Sequence, residues 1–93
     1  MQTIDHKVSQ INPDQYFRLS NGRALSTLDD LKDAVATMPD DLFKQYVNEE
    51  KNDFANWIRF VFKYDRVANA VGAVKSRSAF LDTLSRELAQ GAA

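Results

Sequence analysis

The 93-residue chain has no cysteine. That absence excludes disulfides, thiolate metal sites and thiol nucleophiles together, while leaving the compartment open. Glycine and proline are scarce, at three and two residues. The composition is that of an ordinary globular protein, not of a disordered one. Neither a phosphate-cradling glycine loop nor a nucleophile elbow is present. Charge of neither sign dominates, because twelve Lys and Arg against thirteen Asp and Glu leave a net charge of -1. No global field draws the chain to nucleic acid or to an anionic membrane, so such binding would need a local patch. No apolar run approaches the roughly 18 residues of a membrane span, and MQTIDHKVSQI holds no apolar stretch of signal-peptide length. The protein is expected to be soluble, cytoplasmic and without membrane contact. Histidine occurs once, as His6, in a segment without fixed partners. It is not expected to be catalytic.

What is present is concentrated between Phe43 and Phe62, FKQYVNEEKNDFANWIRFVF, where the only Trp and four of the six Phe surround a polar NEEKND hinge. Residues 1–13 read as a flexible arm or edge strand, and 14–90 as a single helical domain. Asn21-Gly22, flanked by Phe17, Leu19 and Leu25, suits the two positive φ angles of a type I′ hairpin turn. Ser26 is placed to cap a helix over about 27–38, with Asp29 at its third position and Pro39 as its stop. Asp40 is expected to cap a second helix carrying Leu42, Phe43, Tyr46 and Val47, ended by the polar run Asn48 to Lys51. Asn52 then caps a third over about 53–63, with Asp53 favoured by the helix dipole. As an N-cap alone, Asn52 should be replaceable by Ser or Asp, since any short oxygen acceptor serves the first-turn amides. Asp65 caps a fourth helix that Gly72 ends or loosens, and Ser76 or Ser78 begins a last one with Phe80, Leu81, Leu84 and Leu88 inward. The expected fold is mostly α, a compact bundle of about five short helices preceded by a short β-hairpin.

The third helix has an unusually wide apolar face. Phe60, Tyr64, Trp57, Val61, Phe54, Ile58 and Phe62 span roughly 200° of arc, against somewhat over 100° for a one-sided stripe. A central helix touching several neighbours accounts for most of it, and a partner surface at Phe60 and Tyr64 is the sharper alternative.

These features, in this order, resemble a small prokaryotic domain of unknown function, largely archaeal, with an aromatic-rich strand, a turn with Gly, a short helix and a line like HVN-x-x-x-NDF-x-x-WI. The corresponding residues are Phe17, Gly22, Leu28, Leu31, Met38, Phe43, then YVNEEKNDFANWI from Tyr46 to Ile58, with Val67 and Ala68 beyond. Tyr46 stands where that pattern has His, so no role of an imidazole carries over. The resemblance covers residues 16–70 and implies a compact helical module without a known activity.

Chemistry-bearing constellations are thin. Asp29 and Asp33 lie at i, i+4, but magnesium and calcium sites recruit more oxygens than two carboxylates on a solvated helix face. No metal, cofactor or small-molecule substrate is expected, and no enzymatic activity. Asn48 and Asn52 suit helix brackets better than a ligand wall. The segment 66–88 carries a helix-turn-helix-like signal in VANAVGAVKSRS, with Lys63, Arg66, Lys75 and Arg77 as the cations that would meet groove or phosphate. Ser78, Asp82 and Glu87 fit that motif poorly. The function expected first is a non-enzymatic interaction module that binds a protein partner or a second copy through apolar surface around Phe60 and Tyr64, with Lys63 at its edge. A small nucleic-acid-binding protein is the alternative.

Overall fold

A computed structural model describes residues 11–90. His6 and the first ten residues of the expected arm lie outside the described residues. The elements run as a 3₁₀ turn (Pro13–Gln15), β1 (Phe17–Arg18), β2 (Ala24–Leu25), α1 (Leu28–Thr37), α2 (Asp40–Tyr46), α3 (Asp53–Trp57) continuing into a π-helical turn (Ile58–Phe62), α4 (Asp65–Gly72) and α5 (Arg77–Ala89). This is the mostly α bundle behind a hairpin that the patterning predicts.

The hairpin differs from the expected turn. β1 and β2 pair with Phe17 opposite Leu25 and Arg18 opposite Ala24. The Gly22 amide donates to Leu19 O at 3.0 Å and the Leu19 amide to Arg23 O at 2.8 Å, closing a three-residue loop. Only Gly22 takes positive φ there, at 95°. A left-handed residue ending the loop marks the three-residue hairpin class, whereas a type I′ turn would need Asn21 there too. Asn21 instead accepts from the Arg23 amide through Oδ1 at 3.0 Å, an Asx contact that holds the loop.

Three caps also move by one residue. Thr27, not Ser26, caps α1, with Oγ1 accepting the Asp30 amide at 2.9 Å. Asp30 Oδ2 in turn accepts from the Ser26 amide at 3.1 Å and hydroxyl at 2.9 Å, which fixes the residue that precedes the cap. Burial alone would raise the Asp30 carboxyl, but the hydrogen bonds from Ser26 and Thr27 hold it below its ordinary value. Pro39 and Tyr64, not Asp40 and Asp65, occupy the caps of α2 and α4, and the acids follow in the first turns. There they favour the helix through its dipole without a side-chain cap. Ser76 caps α5 as expected, its Oγ accepting the Ala79 amide at 3.2 Å. Gly72 closes α4 in helical conformation, and a Cβ there would meet only Ala55 Cβ at 3.6 Å.

One buried cluster unites all of this, with Leu25, Leu31, Val35, Phe43, Val47, Phe54, Ile58, Val67, Val71, Phe80 and Leu84 at no more than 1% exposure. Within it the aromatic rings form a connected path. Phe54 sits at its centre, with ring centroids 5.0 Å from Phe17, 5.2 Å from Tyr46, 6.3 Å from Phe43 and 5.6 Å from Phe80. The path continues through Phe17 to Trp57 at 5.7 Å, Phe62 at a further 5.1 Å and Tyr64 at 5.7 Å. Trp57 is buried, and its indole N–H donates to Gln15 O at 2.8 Å. The Tyr46 hydroxyl accepts from the Ser20 amide at 2.8 Å. The first bond ties the 3₁₀ turn, and the second the hairpin loop, to the helices.

Candidate functional site

The NEEKND hinge resolves into two asparagines facing inward and two glutamates facing outward. Asn48 closes α2, its Nδ2 donating to Lys44 O at 2.9 Å while its Oδ1 accepts the Glu50 amide at 2.9 Å. Asn52 opens α3, its Oδ1 accepting the Ala55 amide at 2.9 Å. Its Nδ2 also donates to Val71 O at 3.1 Å, so one side chain joins the start of α3 to the end of α4. That second bond is absent from any cap rule. It makes the amide, and not merely an oxygen, the required group.

The wide apolar face of the third helix is also resolved. Phe54, Trp57 and Ile58 are buried, and Val61, Phe62 and Tyr64 pack half-buried against the core. The π turn lets the last three turn inward. In an α-helix residues i and i+5 point well apart, but an i→i+5 hydrogen-bonded turn stacks them, and Phe62 accordingly lies against Trp57. The turn closes on Lys63, which takes φ 64° and ψ 28° and donates its amide to Ile58 O. Among the described residues it is the single non-glycine with positive φ. Tyr64 is drawn in beside Phe62, and burial raises the pKa of its hydroxyl.

Phe60 is the exception. It is 67% exposed, the one exposed large hydrophobic side chain among the described residues, and it lies off the aromatic path that holds the other Phe rings. Of the two residues expected to form the apolar surface, Phe60 therefore projects from it and Tyr64 forms its half-buried edge.

Left-handed Lys63 carries a conformational cost of about 1–2 kcal/mol, partly offset in a glycine variant by the greater freedom of its unfolded chain. Lys63→Gly is expected to raise stability by about 0.5–1 kcal/mol, read as a higher urea midpoint. A lower midpoint would show that the Lys63 stem contributes packing.

The four cations expected for nucleic acid are not alike. Lys63 and Lys75 are exposed, with no ion pair among the described residues. Arg77 is half-buried, with Nε on Asp40 Oδ1 at 2.9 Å and Nη1 donating to Val35 O and Ala36 O at 3.3 and 3.4 Å. It caps the C-terminal end of α1, where carbonyls lack helical partners. Arg66 Nε lies 3.3 Å from Glu87 Oε1, and its Nη2 donates to Gln90. Two of the four are thus committed inside the fold. Asp33 faces Arg23 at 3.3 Å and Asp29 faces Lys32 at 4.0 Å. No group of three metal-ligating side chains gathers among the described residues, and no helix there is long and apolar enough to cross a membrane.

A polar groove of about 400 Å³ opens between the hinge, α3 and the end of α4. Glu49, Glu50 and Lys51 line it from the hinge, Asn56 from α3, Arg59 from the π turn, and Asn69 and Lys75 from α4 and the turn beyond, with Ala55 and Gly72 between them. Arg59 Nη2 donates to Asn69 Oδ1 at 2.7 Å across the two helices. Helical spacing places Asn52, Asn56 and Arg59 on one face, but no spacing brings Asn69 and Lys75 opposite them. That juxtaposition comes from the packing of α4 on α3. Comparison with protein-family models, curated proteins and solved structures gives no match.

Proposed function

We propose that the protein is a non-enzymatic interaction module that docks a protein partner on Phe60, with Tyr64 at the edge of the contact and Lys63 on its rim. The observation that carries this is the outward placement of one Phe at a π turn, when every other Phe joins the core. A single exposed apolar residue is commonplace, but π turns recur at functional sites, and aromatic side chains are enriched in interface cores. The backbone here holds Phe60 outward by a non-standard turn and a left-handed lysine. Lys63 has no carboxylate partner among the described residues, and Arg59 beside Phe60 bonds only Asn69. An isologous self-contact would set these cations against their own copies. The complementary partner is another protein, with an apolar pocket rimmed by carboxylates. Nucleic-acid binding is less well supported, because Arg66 and Arg77 have partners within the fold.

Phe60→Asp should leave stability within about 0.5 kcal/mol, as for surface substitutions generally, while weakening partner binding at least tenfold, the scale of an interface hot spot. Site-specific photo-crosslinking from position 60 in native lysate should yield one discrete adduct, competed by the wild-type chain and dependent on neighbouring Lys63. A crosslink only between copies of the chain would make self-association the answer. No adduct, together with salt-dependent binding to a generic duplex, would replace this function with the nucleic-acid one.

A further inference from the structure

Two acids and three bases line the groove: Lys51 is paired with Asp53 at 2.9 Å, which leaves Glu49, Glu50, Arg59 and Lys75 unpaired. Elsewhere on the surface such charges do meet, as in Arg23 with Asp33, Arg77 with Asp40 and Arg86 with Asp82. Here Glu49 and Glu50 on the hinge make no ion pair with Arg59 or Lys75, although all four line one cavity of about 400 Å³. Among the described residues none of the four has any carboxylate or cation partner. Opposite charges that share a cavity without closing on one another leave a gap that a ligand carrying both signs can bridge. The basic wall is also pre-oriented. Asn69 fixes Arg59 by one nitrogen, and the rest of that guanidinium fork remains suited to a carboxylate, which it can bind bidentately. Asn56, exposed on the same face of α3, has a side-chain amide with no partner among the described residues. It can bond a peptide group lying between the charged ends. The volume falls within the range of small-ligand sites, but the lining is polar where drug-like pockets are mostly apolar.

We infer that this groove binds a small zwitterion of short-peptide size, its carboxylate on Arg59 and Lys75 and its ammonium on Glu49 and Glu50. The site shares Arg59 with the cationic rim of the docking surface but makes no use of Phe60.

Triglycine is a suitable probe, because it carries both charges and no side chain. Its N-acetyl form lacks the ammonium and its C-terminal amide lacks the carboxylate. Titrated into the isotopically labelled protein, triglycine should shift the backbone amides of residues 49–59 and 69–75 saturably, and capping either end should weaken it about tenfold or more. In the Arg59→Gln, Lys75→Gln double variant, triglycine and its amide should bind alike. In the Glu49→Gln, Glu50→Gln double variant, triglycine and its N-acetyl form should bind alike. Phe60→Asp should bind triglycine as the wild type does, which keeps this site distinguishable from the docking surface. Absence of a saturable shift in those amides, indifference to capping, or losses that do not sort by wall would each overturn the inference. Unchanged amide spectra of the variants away from the groove establish that the fold is retained.

Discussion

Trp57→Ala is expected to remove about 3–5 kcal/mol of stability, a large part of the 5–15 kcal/mol typical of a domain. Trp57 is 8% exposed and lies between Phe17 and Phe62, so truncation opens a void between the hairpin and the π turn together. It also deletes the donor to Gln15 O. Trp57→Phe separates the two effects, since it keeps most of the ring burial but loses the N–H, and should cost less than the alanine variant by at least half. Urea unfolding followed by circular dichroism measures both, and a Trp57→Ala loss under 1 kcal/mol would mean that the hairpin is not anchored there. The wild-type chain, with its one indole in an apolar setting, should show blue-shifted emission that moves to the red on unfolding.

Asn52→Ala is expected to cost about 1–3.5 kcal/mol, combining about 0.5–2 for the cap with about 0.5–1.5 for the bond to Val71 O. The conservative variants are more diagnostic. Asn52→Ser retains an acceptor for the Ala55 amide but has no group to reach Val71 O, and should lose about 0.5–1.5 kcal/mol. Asn52→Asp keeps the cap and suits the helix dipole, yet sets a carboxylate oxygen against the Val71 carbonyl, 3.1 Å from the present nitrogen. It should be no more stable than Asn52→Ser at neutral pH. Denaturant midpoints for the three variants decide the matter, and a neutral Asn52→Asp would reduce Asn52 to a cap.

That contrast shows what a linear chain can and cannot display. Helix caps, the proline stop at Pro39 and the i, i+3, i+4 stripe of Phe54, Trp57 and Ile58 are local, so the five helices and the hairpin are legible from spacing alone. The one-residue displacements at Thr27, Pro39 and Tyr64 arise because adjacent positions compete for a cap and tertiary burial decides, as with Thr27 at 4% exposure. The turn at Gly22 was legible as a turn but not as a three-residue loop, since Asn-Gly serves both. Phe60 was visible as surplus on an overly wide apolar face. Its separation from Tyr64 was not, because no residue pattern announces a π turn. The groove was least visible, since Arg59 and Asn69 meet only through the packing of two helices.

The π turn can also be considered as a matter of chain length. Five residues from Ile58 to Phe62 occupy it, one more than an α-helical turn needs for the same hydrogen-bonded closure. A deletion of one residue would be absorbed by restoring an i→i+4 ladder, and everything after it would keep its face, because i+4 in an α-helix lies over i much as i+5 does in the π turn. Phe62 would then stand four residues beyond Trp57 and stay against it, with Tyr64 still beside Phe62. The surplus residue thus acts as a phase shifter: it lets the inward face resume its register downstream while one aromatic is left outside the count. A natural variant lacking that residue would be expected to retain the helix and lose the outward aromatic, so an insertion or deletion here would alter binding before it altered the fold.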